Sequence, residues 1–165
     1  MSESVSEAVP EGFEPLPMGY GFTDALGPLY RRVEESRVVL GLRVDTQHSN
    51  TMGICHGGAL MTLADIAAAS WANVARGLIA GAPTINLSID FISGAKQGQW
   101  IEAHEEGVEL KRLFGFVRGV IRSERGLVAR FSAVFYFPDH PGMAQDGVVK
   151  PVAMRGLLGD DTDAD

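Results

Sequence analysis

An α+β fold is predicted, with an antiparallel sheet wrapped around one long central helix. Three observations predict it. Residues 58–76, "GALMTLADIAAASWANVAR", form one Pro-free run rich in Ala and Leu that stops at Gly77, which reads as a single long helix. Residues 83–137 hold four stretches of β-branched or alternating character separated by short turns. A further strand precedes the helix, so the order is strand, helix, meander, which suits one sheet packed around one apolar helix. Such a sheet keeps free edges and an outer face, and self-association is the simplest way to cover them.

Each element has its own warrant. Residues 1–19 are acidic and Pro-rich and are expected to be a disordered extension. In "FTDALGPLY", Thr23 or Asp24 is expected to cap one helical turn that Gly27-Pro28 stops. "SRVVLGLRVD" (36–45) reads as a strand, and "TQHSNTMGICHGG" as the loop before the helix. The helix is apolar nearly all round and is expected to be buried. In "PTINLSIDFI" (83–92), Ile85, Leu87, Ile89 and Phe91 share one face, and Thr84, Asn86, Ser88 and Asp90 the other. "SGAKQG" is a turn. Residues 99–110 and 112–123 make a hairpin around Lys111, "SERG" turns the chain again, and 127–137 is the last strand. In 112–123, Leu113, Gly115, Val117, Gly119 and Ile121 share a face, and two glycines on a core face suggest close approach of a helix. The folded domain is expected over 20–138, with 139–165 an acidic, largely irregular tail.

Composition narrows the function. At 165 residues with 45% apolar content, the chain is long enough for one domain with a real core. The net charge of −7 sits in the ends: the first 24 residues hold five acids and no Lys or Arg, and 139–165 carry a net −4. Residues 25–138 are left with about +2, so the acidity is no argument against an anionic ligand. Basic residues are too scattered for nucleic-acid binding. One Cys cannot form an internal disulfide, and "MSESVSEAVPEGFEPLP" lacks the basic and apolar regions of a secretory signal, so a cytoplasmic location is expected. Asp65, Asn73 and Arg76 interrupt the most apolar stretch, which argues against a membrane span.

Asp65 is the residue that stands out. It lies in the apolar helix with no Lys or Arg three or four positions away, so local ion pairing does not account for it. It shares a face with Gly58, Met61, Thr62, Ala68, Ala69 and Ala72. The plainer alternative, a hydrogen bond to backbone or to a second chain, weighs against a general base or nucleophile with room for substrate beside it. "HGG" (56–58) sits at the helix start, where backbone N–H groups around Gly57 and Gly58 should be unpaired and the dipole favours negative charge. Such an end can polarise a carbonyl, although a plain loop-to-helix junction accounts for it equally. Gly57 and Asp65 are ~12 Å apart along a helix axis, too far to serve one carbonyl from one chain. If both act, a second copy must supply one of them.

Other groups carry weaker signals. Cys55-His56 are sequence neighbours whose side chains diverge, and His48 with His56 lack the spacing of a metal site, so no metal is expected. GxSxG, GxGxxG and P-loop motifs are absent. Lys111, Arg112 and Arg125, in or beside turns, read as solvated charges that could also meet a phosphate. Met52, Cys55, Met61 and Trp71 are candidates for a pocket lining, with ordinary core packing the stronger alternative.

"HSNTMGICHGGALMTLADIAAASWAN" resembles the signature of PaaI-like hotdog-fold acyl-CoA thioesterases of the hydroxybenzoyl-CoA thioesterase superfamily. The Asn, the Gly three later, "HGG" and an Asp seven beyond its second Gly fall in that family's places. "PTINLSIDFISGAK" and "KRLFGFVRGVIRSERGLVARFSAVFYF" resemble its next strand and closing hairpin, so the likeness spans about residues 22–137. It implies the hotdog fold and hydrolysis of a small or medium, aryl or aliphatic acyl-CoA. It implies that Asn50 orients the thioester or water, that the Gly57 N–H beside His56 polarises the carbonyl, that Asp65 acts across a dimer interface, and that Thr84 positions water or the carboxylate. Gly58, Met61, Lys111 and Arg112 are the expected substrate contacts. The partners implied are the acyl-CoA and further copies of the chain, as a dimer or dimer of dimers, with no cofactor beyond the coenzyme A of the substrate. The chain departs from the pattern at Gly94, where a Pro is frequent, and in its acidic ends. The alternatives are a non-catalytic acyl-CoA-binding protein and a hotdog hydratase or dehydratase.

Overall fold

The computed structural model describes residues 8–17, 21–35, 37–77 and 82–137. Its elements are β1 (Glu14–Pro15), α1 (Phe22–Leu26), β2 (Leu29–Glu34), β3 (Arg37–Arg43), a 3-10 turn (Thr46–His48), α2 (Gly57–Arg76), β4 (Thr84–Phe91), β5 (Trp100–Leu110), β6 (Phe114–Ser123) and β7 (Gly126–Tyr136). The seven strands form one sheet in the order β1-β2-β3-β5-β6-β7-β4, and all neighbours run antiparallel. The long helix packs against this sheet, so the hotdog architecture expected from the sequence is the one found.

The helix is built as its composition suggests. His56 caps its start, Gly77 ends it in the left-handed conformation (φ 68°), and the Gly77 N–H returns to Asn73 and Val74 carbonyls. Leu60, Leu63, Ala64, Ala67, Ala68, Trp71 and Ala72 are buried against the sheet. The expectation of burial all round is too strong, because Gly58 and Met61 are exposed and Thr62, Asp65 and Ala69 half-buried. One face of α2 is therefore left uncovered by its own sheet. The two core-face glycines of β6 have distinct reasons. A Cβ on Gly119 would lie 2.5 Å from the Trp71 ring, so the helix does approach there. A Cβ on Gly115 would instead meet Phe137, at 2.7 Å.

The edges of the fold differ from expectation. Neither Thr23 nor Asp24 caps α1; Gly21 holds the cap position, with no side-chain bond. "LYRRVE" forms β2, a strand that the sequence pattern does not reveal because Arg31, Arg32 and Glu34 break its apolar run. Residues 8–17 are ordered on the sheet rather than disordered. Glu14 pairs with Arg31 at 2.8 Å, the Leu16 N–H bonds Leu29 O at 2.8 Å, and the Leu16 side chain joins the core. Phe13 meets Trp100 edge-on, with ring centroids 5.0 Å apart, and Arg32 lies 4.4 Å from the Phe13 ring. Both rings rest on the sheet at Gly41, where a Cβ would collide with them. Beneath this strap, Glu102 accepts from the Trp100 indole at 3.0 Å and lies 3.0 Å from His104 Nε2. Burial pushes the Glu102 carboxyl up, but hydrogen bonds from His104 and Trp100 and the Arg32 charge outweigh this and hold it below its ordinary value. The expected tail over 139–165 lies outside the described residues.

Candidate active site

The glycine-rich loop is folded by its own polar side chains. Asn50 Oδ1 accepts from the N–H groups of Met52 (2.9 Å) and Ile54 (3.4 Å), while the Asn50 N–H bonds Ile54 O at 2.8 Å. Gly53 (φ 70°) makes the tight reversal between them. The oxygen end of Asn50 thus holds the loop, and among the described residues its NH2 end makes no hydrogen bond. His48 anchors the base of the loop. Its Nδ1 accepts from Asp45 N–H at 2.9 Å, so its Nε2 carries the proton and donates to Leu26 O at 2.6 Å. With both ring nitrogens engaged, His48 is structural, and among the described residues no group of three metal-ligating side chains exists.

The helix start is tighter than the sequence suggests. Gly58 N–H is not free, because it donates to His56 Nδ1 at 2.8 Å. The N–H groups of Ala59 and Leu60 both turn back to His56 O. Gly57 alone in this first turn has an N–H with no acceptor among the described residues. Its glycine character also has a packing cause: a Cβ there would stand 3.0 Å from the Phe91 ring. The Phe91 ring therefore sits on the helix start. Alternation along β4 assigns Phe91 to the core face only, and nothing in the sequence signals that its ring overhangs the end of the sheet.

Asp65 is half-buried, and its Oδ1 accepts the Thr84 hydroxyl proton at 2.8 Å. No cation pairs with it among the described residues. The bond crosses from the uncovered face of α2 to the first residue of β4. Two residues that the sequence singles out separately are thereby joined.

Other candidates fall away from this neighbourhood. The Cys55 thiol is buried, and burial alone pushes it up to about 11, so it stays protonated and a thiol dyad with His56 is absent. Trp71 is core: its indole donates to Val38 O at 2.6 Å and its ring stacks on Phe131. Met52 and Met61 instead remain exposed, by 74% and 37%. Lys111 and Arg112 lie at the opposite end of the molecule. Their carbonyls hold the Arg76 guanidinium at 2.9 and 2.6 Å, on the last turn of α2 and ~28 Å along the axis from Gly57. Within one chain they do not join the groups gathered around Gly57 and Asp65.

Among the described residues, β4 lies at one end of the sheet and is bonded only to β7. Its free edge is eight residues long and exposes Ile85 by 59% and Phe91 by 54%. Asp65 is tied to the first residue of this edge strand and Gly57 touches the last.

Comparison with known proteins agrees with this architecture. Residues 52–129 match the family model described as the thioesterase superfamily. A Pseudomonas aeruginosa protein, whose name assigns it provisionally to the esterases, is 37% identical over 131 residues, covering 79% of this chain and 98% of that protein. A single-substitution mutant of the phenylacetic acid degradation protein PaaI from Thermus thermophilus superposes with a TM-score of 0.61 at 31% identity, over 71% of this chain and 98% of that one. The E. coli PaaI protein gives 0.59 at 26% identity, over 70% and 86%.

Proposed function

The chain belongs to the thioesterase superfamily, and on that premise we propose that it hydrolyses the thioester of a small or medium acyl-CoA in a site shared by two copies. The observation that carries the shared site is the layout of β4. Two free β4 edges that pair antiparallel about a two-fold axis bring the Thr84 end of one strand beside the Phe91 end of the other. Asp65 travels with Thr84 and Gly57 with Phe91, so each pairing sets one chain's carboxylate against the helix start of its partner. The ~12 Å that separates the two groups within a chain is bypassed.

In this reading the thioester carbonyl oxygen accepts the Gly57 N–H, aided by the positive end of α2. The Asn50 NH2 group orients the thioester or the attacking water. Asp65, held by Thr84, acts from the other chain as base toward water or as nucleophile toward the carbonyl carbon. When Asp65 acts as base, the proton it takes from water passes to the departing thiolate; when it acts as nucleophile, the thiolate leaves with a proton from solvent and water then cleaves the acyl–Asp65 anhydride to free the acid. A hydratase reading lacks the differently arranged Asp/His pair it needs, since His48 is locked into the loop and His56 caps the helix.

Free-thiol release across a panel of CoA thioesters tests the activity, with Asp65→Asn expected to lower kcat by at least ~100-fold. A mixing experiment tests the shared site. Gly57→Pro removes the N–H at the first helix position, behind a His56 already in extended conformation (ψ 138°), and its Cβ, 3.0 Å from the Phe91 ring, displaces that ring slightly. Heterodimers of Asp65→Ala with Gly57→Pro are expected to regain up to about half the activity per site, since one of their two sites is intact. No recovery despite proven subunit exchange would overturn it.

A further inference from the structure

The substrate class can be narrowed at Phe91, in an inference that rests on the reading above. The phenyl ring abuts Gly57 closely enough that a Cβ there would stand 3.0 Å from its Cζ. It is therefore fixed on one side by the residue whose N–H faces the carbonyl. On its other side the ring is 54% exposed in the single chain, at the end of the free edge strand. Met61 follows Gly57 by one helical turn and so occupies the same face of α2. Large apolar side chains left without cover mark a surface that meets a partner or ligand. Apart from His56 at the cap and Asp65 at the next turn but one, this end of α2 presents no titratable side chain on that face.

We propose that Phe91 is the specificity-determining residue of the acyl site: its ring closes the pocket beside Gly57 and limits the substrate to compact apolar acyl groups, aryl or short aliphatic. A carbonyl seated on the Gly57 N–H must extend its acyl chain past this ring. The ring's volume is then the space that a longer chain would need.

The test compares wild type, F91A and F91W on acetyl-, hexanoyl-, decanoyl- and benzoyl-CoA by free-thiol release, reading kcat and KM for each. Removing the ring should raise the decanoyl-to-hexanoyl ratio of kcat/KM at least tenfold, since each added methylene that finds an apolar wall is worth up to about fourfold. The larger indole of F91W should lower that ratio and raise KM for hexanoyl-CoA. F91W keeps an aromatic ring at a half-exposed position, so it reads the limit even if F91A unfolds. Ratios within twofold of wild type in the variants that turn over would overturn the role of Phe91 and leave the thioesterase reading standing. Absence of thiol release by wild type from every thioester would instead overturn both.

Discussion

The Thr84 hydroxyl donates a hydrogen bond to Asp65 Oδ1, and this bond fixes where a mid-helix carboxylate points. A hydrogen bond to a charged acceptor is worth about 1.5–3 kcal/mol, enough to choose one rotamer of Asp65 over its neighbours. Thr84→Val keeps the β-branched shape that suits a strand and removes only the donor. Its kcat should fall about tenfold, the loss expected for ~1.4 kcal/mol of misplaced carboxylate, while Thr84→Ser should stay near wild type. Equal activity in Val and Ser variants, measured by thiol release, would show that the bond does not position Asp65. The same scale shows why a sequence cannot rank its candidates by residue type alone. By residue type alone, Cys55, His48 and Asp65 are each capable of chemistry. Burial quietens the first, two hydrogen bonds occupy the second, and Asp65 keeps an oxygen unengaged among the described residues.

Among the elements, α2 and β6 meet most closely at Gly119. A methyl group there would press on the Trp71 ring at 2.5 Å, Phe131 at 2.6 Å and the His104 carbonyl at 2.9 Å. Backbone on one side and two packed rings on the other leave nowhere to yield. Gly119→Ala should therefore destabilise the fold by about 2 kcal/mol, visible as a lower urea midpoint at unchanged slope. This contact was legible in the sequence, because a glycine weakens a strand interior and two of them on one apolar face point to something packed close against it. The helix and its end at Gly77 were legible for the same kind of reason. β2 was not, since Arg31 and Arg32 find their partners, Glu14 and Glu102, at sequence distances of 17 and 70. The strap over residues 8–17 was hidden likewise: its acidic, Pro-rich composition suits disorder, and only Trp100 and Arg32 on other strands give Phe13 a place to rest. In the site, the pattern pointed to Asp65 and Gly57 and the family resemblance to Thr84, whereas the contact of Phe91 with the helix start depends on where β4 ends relative to α2.

At the scale of the sheet, one end is shielded by short β1 and the other, β4, is open along eight residues among the described residues. An open, apolar edge of that length invites a second strand. Ser88→Lys puts a charge on an exposed residue beside the two-fold axis of the paired β4 strands, next to its own copy, where like charges repel. Sedimentation should then shift from dimer toward monomer, with thiol release lost in parallel; an active monomer would dissociate the site from the edge. The strap at the opposite end of the sheet has an optical consequence. The chain contains two tryptophans, one sealed in the core between α2 and β6 and one roofed by Phe13. Their fluorescence should therefore report separate events. A red shift carried by Trp100 would mark lifting of the strap while Trp71 still emits from a dry interior, and Trp100→Phe would leave a spectrum that changes only when the sheet itself comes apart.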